Sequence, residues 1–168
     1  MKNVLDNLSN VGNRVRASVL VYGSDAEIKI KLNEFNRLED FKAALDKRLK
    51  FHGSPQTRID KALRIANKEL FTKENGDRPD VPNYLVLVTD GKQNSGSWIT
   101  DQNFVSWYAS PLWRRNITIF AIGVAQAEYS QLKRIAGPKG KALYRRKLNQ
   151  LNEAVDTVIP KHCRGTGL

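Results

Sequence analysis

The chain has 168 residues, 40% hydrophobic and 27% charged, with a net charge of +11. That length fits one domain with a core large enough to need no covalent staples. No run approaches the roughly 20 apolar residues of a membrane-spanning helix, and the opening Met1-Lys2-Asn3-Val4-Leu5-Asp6 lacks the continuous apolar segment of a signal peptide.

Val4, Leu5, Leu8 and Val11 recur at helical spacing ahead of Gly12, predicting a short amphipathic helix. Val15, Ala17, Val19 and Val21 then alternate, predicting a strand over 14–22. Gly23-Ser24-Asp25 reads as a turn. Ile28, Ile30 and Leu32 alternate with Glu27, Lys29 and Lys31, so a second strand with one wet face returns as a hairpin at a sheet edge. Leu38, Phe41, Leu45 and Leu49 mark a helix, and Ile59, Leu63, Ala66 and Leu70 mark another. Thr57 stands at the N-cap position of the second of these, with Asp60 three residues on, a variant of the capping box.

A polar loop over 74–82 leads into Tyr84-Leu85-Val86-Leu87-Val88, whose unbroken apolar character predicts a strand buried on both faces. Phe104, Tyr108 and Leu112 predict a helix limited by Pro111. A second continuous apolar strand covers 117–124. Tyr129, Leu132 and Ile135 form a helix closed by Gly137-Pro138. A weak strand follows over 142–144, and Leu148, Leu151, Val155, Val158 and Ile159 give a last helix. Strands alternating with helices predict an α/β, Rossmann-like, doubly wound open sheet. It is mostly parallel with one antiparallel edge strand, and helices cover both faces. One domain is expected over 1–163, with a loose tail at 164–168. Such a sheet ordinarily opens with a central strand, whereas this chain opens with a helix and then an edge hairpin, so the first, central strand is expected to be missing.

Ligands bind at the C-terminal ends of parallel strands. Thr89-Asp90-Gly91 ends one apolar strand there, and the carboxylate of Asp90 is a hard oxygen ligand suited to Mg²⁺, Mn²⁺ or Ca²⁺. The competing reading is an Asp-Gly turn with no further task. The hydroxyl of Thr57 has the same two readings, helix cap or cation ligand. Lys and Arg are spread over most of the chain, with local clusters such as Arg145-Arg146-Lys147. That argues against a dedicated nucleic-acid groove and allows attraction to an acidic or sulfated partner. Trp98, Trp107 and Trp113 are expected in core packing or groove lining. His52 and His162 have no Cys or His at zinc spacing. The signatures G-x-G-x-x-G, G-x-x-x-x-G-K-[ST] and G-x-S-x-G are absent, so no enzyme is expected. Cys163 is a free thiol or half of a bridge to a cysteine outside this sequence.

Four segments together resemble the von Willebrand factor A domain family. Arg14-Val15-Arg16-Ala17-Ser18-Val19-Leu20-Val21-Tyr22-Gly23 is similar to its second strand, and Thr57-Arg58-Ile59-Asp60-Lys61-Ala62-Leu63 to the start of its third helix. Leu85-Val86-Leu87-Val88-Thr89-Asp90-Gly91-Lys92 resembles its fourth strand and acidic turn, and Ile117-Thr118-Ile119-Phe120-Ala121-Ile122-Gly123-Val124 its fifth strand. The resemblance implies a non-enzymatic adhesion module, extracellular, of the collagen-like matrix kind. It further implies a metal-ion-dependent adhesion site (MIDAS) in which Thr57 and Asp90 are ligands and an acidic partner fills the cation's open position. The family's first ligand loop, Asp-x-Ser-x-Ser after the opening strand, occurs nowhere in this chain. The domain is therefore expected to be incomplete on its N-terminal side and to hold Mg²⁺, Mn²⁺ or Ca²⁺ in the intact parent, weakly or not at all alone. Extracellular members pair a cysteine before the first strand with one after the last helix, which would give Cys163 a partner outside this chain. Two alternatives stay open: a structural member without metal, and an intracellular member associated with nucleic acid.

Overall fold

The computed structural model describes residues 15–49, 53–94, 104–147 and 150. The expected helix over 4–11, that over 148–159 apart from residue 150, the tail, Trp98, both histidines and Cys163 lie outside the described residues. Two antiparallel strands, β1 (Val19–Tyr22) and β2 (Ala26–Ile30), form the hairpin. Its turn is fastened by the Gly23 amide donating to the Asp25 carbonyl at 2.7 Å. β1 is shorter than the alternation over 14–22 suggests. Val15 makes only an isolated bridge, and Arg16 uses its guanidinium on the Gly76 carbonyl at 2.7 Å.

Helix α1 (Leu38–Arg48) lays Phe41, Ala44 and Leu45 against Ile30, a small core of its own beside the hairpin. Helix α2 (Ile59–Ile65) runs on into a π-helical turn, Ala66–Leu70. Strands β3 (Tyr84–Thr89), β4 (Thr118–Val124) and β5 (Lys141–Arg145) form a parallel sheet in the order β3-β4-β5. Helices α3 (Phe104–Arg114) and α4 (Tyr129–Ala136) are the crossovers that parallel pairing requires. Leu87, Ile119 and Ala121 share the main core with Leu63 of α2, Leu112 of α3 and Leu132 and Ile135 of α4.

Three expectations change. Pro111 does not limit α3; the helix runs three residues past it. A proline there removes the amide that would bond the Trp107 carbonyl, and Ser110 Oγ donates to that carbonyl instead, at 3.3 Å. β3 is not buried on both faces, because Val86 is 38% exposed. On that face Tyr84 stacks on Phe120 with ring centroids 6.2 Å apart. Finally, Trp107 is 71% exposed and lines no core. Trp113 does pack as expected: it lies against Gly137 and donates Nε1–H to the Ile135 carbonyl at 3.0 Å. Gly137 takes φ +67°, a conformation that favours glycine, so the helix can end beneath that indole.

Among the described residues β1 and β3 belong to different sheets. What joins them is a side chain: Tyr22 Oη–H donates to the Val88 carbonyl at 2.7 Å. Burial pushes the Tyr22 phenol well above its ordinary pKa. The negative charge of Asp90 adds to that, against a hydrogen bond with Thr89. The phenol is thus a fixed neutral donor.

Candidate functional site at the ends of β1 and β3

At the C-terminal ends of the strands Thr57 lies against Gly91, the residue after Asp90. Thr57 is not a helix cap. The N-cap of α2 is Arg58, which makes no side-chain cap bond. Thr57 instead forms an antiparallel bridge with Asn94, its amide donating to Asn94 Oδ1 at 3.0 Å and its carbonyl accepting from the Asn94 amide at 3.1 Å. The next residue ties the loop to the hairpin, the Arg58 amide donating to the Gly23 carbonyl at 2.9 Å. No capping bond therefore claims the Thr57 hydroxyl.

Asp90 is exposed just beyond β3. Thr89, buried beneath it, shapes the turn: its Oγ1 donates to the Gly91 carbonyl at 2.9 Å. The Asp90 carbonyl accepts from the Gln126 amide at 3.0 Å, which anchors the turn to the end of β4. Gly91 is required for approach rather than for its φ. A Cβ built there would stand 3.1 Å from Thr57 Oγ1, close enough to push the threonine aside. The Thr57 hydroxyl thus lies next to the turn that follows Asp90.

Below this pair lies a buried network that reading the sequence did not find. Asp60 is 3% exposed. It accepts a forked pair of bonds from Arg58, Nε at 2.8 Å and Nη2 at 2.7 Å, and a third from Gln93 Nε2 at 2.7 Å. Gln93 returns a contact, its Oε1 accepting from the Asp60 amide at 3.1 Å, and its own amide donates to Gln131 Oε1 of α4 at 2.9 Å. Burial alone would raise the Asp60 pKa. The hydrogen bonds from Arg58 and Gln93 outweigh it and hold the carboxyl below its ordinary value. The network locks the start of α2 to the segment after Asp90. Sequence could have flagged Arg58 and Asp60, two residues apart, but not Gln93, which is 33 residues further on.

Chemically, a hydroxyl and a carboxylate from adjacent loops are two hard oxygen donors. They fit a divalent cation as part of its shell, and six or more oxygens are what such an ion takes. Among the described residues no cluster of three or more His, Cys, Asp or Glu completes that shell.

A parallel sheet with crossover helices, carrying an acidic turn beside a threonine loop at its C-terminal edge, is an α/β arrangement of the Rossmann-like class, in which ligands bind at that edge. The profile of the von Willebrand factor type A domain matches residues 1–157, and the chain belongs to that family. Human collagen alpha-5(VI) chain is 31% identical over 152 residues, covering 89% of this chain and 6% of the collagen chain. Mouse matrilin-4 is 30% identical over 129 residues, 75% of this chain and 19% of the matrilin. This chain therefore spans a small part of the curated relatives it matches. Among solved structures, proximal thread matrix protein 1 from the mussel byssus superposes with a TM-score of 0.83 at 26% identity, covering 96% of this chain and 40% of that one. A form of that protein with a zinc-occupied MIDAS motif superposes at 0.81 and 25% identity, over 96% of this chain and 41% of that one.

Proposed function

We propose that this domain is a non-enzymatic adhesion module of the extracellular matrix. Its binding end is the Thr57–Asp90 edge, where a divalent cation, Mg²⁺, Mn²⁺ or Ca²⁺, recruits an acidic group of a matrix partner. The observation that carries the reading is the contact itself: Gly91 brings the Asp90 turn against a threonine hydroxyl that no cap bond claims. Support comes from matrix relatives, collagen VI and matrilin, and from the zinc-occupied site of the mussel protein. Thr57 and Asp90 would be protein ligands, and the ion would supply an electrophilic open position. The Arg58–Asp60–Gln93 network would keep the two loops in register without touching the ion.

The chain has no Asp-x-Ser-x-Ser sequence, and two oxygens out of six make a weak site. Calorimetric titration of the 168-residue chain with Mg²⁺ and Mn²⁺ tests this. A dissociation constant of about a millimolar, the weak end for extracellular cation modules, is expected, with the heat lost in Asp90→Ala. No heat, or heat undiminished in Asp90→Ala, would defeat the metal reading.

A further inference from the structure

The net charge of +11 is not evenly held. Over the described residues up to 94, fourteen Lys and Arg face twelve Asp and Glu, whereas over 104–147 nine Lys and Arg face the single Glu128. That one carboxylate is already engaged by Lys92 Nζ at 3.0 Å and by Ser130 Oγ. Six of these cations lie on or next to α3, α4 and β5. Lys141 opens β5, the outer strand of the parallel sheet among the described residues, and Arg146 and Lys147 follow its end. At about 3.3 Å per residue, Lys141 to Arg145 covers about 13 Å, and the chain bends at Arg146 and Lys147. Lys139 Nζ donates to Asn116 Oδ1 at 3.0 Å, which ties the loop before β5 to the turn after α3, two residues from Arg114. Lys133 adds a charge from α4, which packs on β4 and β5. All six side chains are exposed, and none is in an ion pair among the described residues.

We infer that this side of the molecule, from the end of α3 across α4 and along β5, docks a linear sulfated glycan. An extended array of one sign suits a linear polyanion better than a single phosphate or carboxylate. A single-stranded nucleic acid needs a run of aromatic faces for its bases. Here the exposed aromatics among the described residues are Trp107 and Tyr129, and Lys133 already sits over the Tyr129 ring at 5.5 Å. The choice of a glycan over other polyanions rests on the matrix reading above. The array itself does not involve the Thr57–Asp90 edge, so the two proposals fail separately.

The test uses the 168-residue chain and size-defined heparin oligosaccharide across a salt series, with EDTA present throughout. Affinity should fall linearly with log salt, as release of condensed counterions requires. Lys141→Glu/Arg146→Glu/Lys147→Glu should weaken binding about tenfold or more, because half of the six cations are reversed. The control Arg64→Glu/Lys68→Glu/Lys73→Glu makes the same change in net charge on and just beyond the α2 segment, and should cost about twofold or less through long-range charge alone. If the reversed variant does not fold, the Gln triple at the same three positions is read instead, with the same direction of loss. Equal losses in patch and control, loss of heparin binding on adding EDTA, or tighter binding of single-stranded RNA than of heparin at matched salt would each overturn the inference.

Discussion

The β1–β2 hairpin with α1 and the β3–β5 sheet with α2–α4 are built differently, and each difference has a use. The hairpin side has a core of Ile30, Phe41, Ala44 and Leu45 and pairs Lys29 with Glu27 and Arg48 with Glu34, while its Asp25 pairs with Lys61 of α2. The parallel side buries a continuous core from Leu87 through Ile119 to Ile135 and leaves its cations largely unmatched. Paired surface charges contribute little to stability, so the hairpin depends on its few apolar contacts and on its links to the larger unit. Those links include Tyr22, Ile28 and Leu32 packed on the main core, the Arg16–Gly76 and Lys61–Ser24 hydrogen bonds, and the Tyr22–Val88 and Arg58–Gly23 hydrogen bonds, the last two beside the candidate cation site. The candidate site therefore belongs to the larger unit and lies where the hairpin meets it.

The largest expected effects separate the two cores. Leu132→Ala should cost about 2–5 kcal/mol by leaving a cavity in the main core, lowering protection from amide hydrogen exchange across β3, β4 and β5 alike. Phe41→Ala should remove a comparable amount locally and speed exchange in β1 and β2, while β4 stays protected. Equal loss in both sheets from Phe41→Ala would mean the halves fold as one cooperative unit.

Next in size is Arg58→Ala, which strands the Asp60 carboxylate under the site; breaking a buried pair from one side costs about 3 kcal/mol. The same pair sets a pH dependence. The folded pKa of Asp60 is depressed, so its contribution is present above the unfolded carboxyl value of about 3.9 and is lost as pH falls through the lower, folded value. Melting curves from neutral to strongly acid pH should show that loss in the wild type and less of it in Asp60→Asn. An acid limb unchanged in Asp60→Asn would assign the dependence elsewhere. Smallest is Tyr22→Phe, expected to cost about 1–2 kcal/mol for an unsatisfied Val88 carbonyl. Its mark would be faster exchange confined to β1 and the end of β3.

Much of this could be read from the chain. The hairpin, both apolar strands and the helices at Leu38, Ile59 and Tyr129 follow from periodicity and turn residues, because each is decided by neighbours a few positions away. Pro111 misled because the compensation comes from Ser110, a local bond that a proline rule ignores. Thr57 misled because a cap and a bridge use the same residue type, and the choice is made by Asn94, 37 positions on. Thr57 and Asp90 stand out in the sequence by residue type; that Thr57 lies against Gly91 is a matter of distance and not of pattern. The charge division was legible but hidden by the chain-wide spread of Lys and Arg; counting 104–147 by itself reveals it.

The most direct measurement is Mn²⁺ added to the ¹⁵N-labelled chain, with paramagnetic broadening read residue by residue. Broadening centred on the amides of Thr57, Gly91 and Asn94, absent in Asp90→Ala and leaving 141–147 sharp, is the predicted result. Broadening spread over the exposed carboxylates of Glu39, Asp40 and Asp80, or persisting at Thr57 in Asp90→Ala, would contradict a cation seat at the junction of the two sheets.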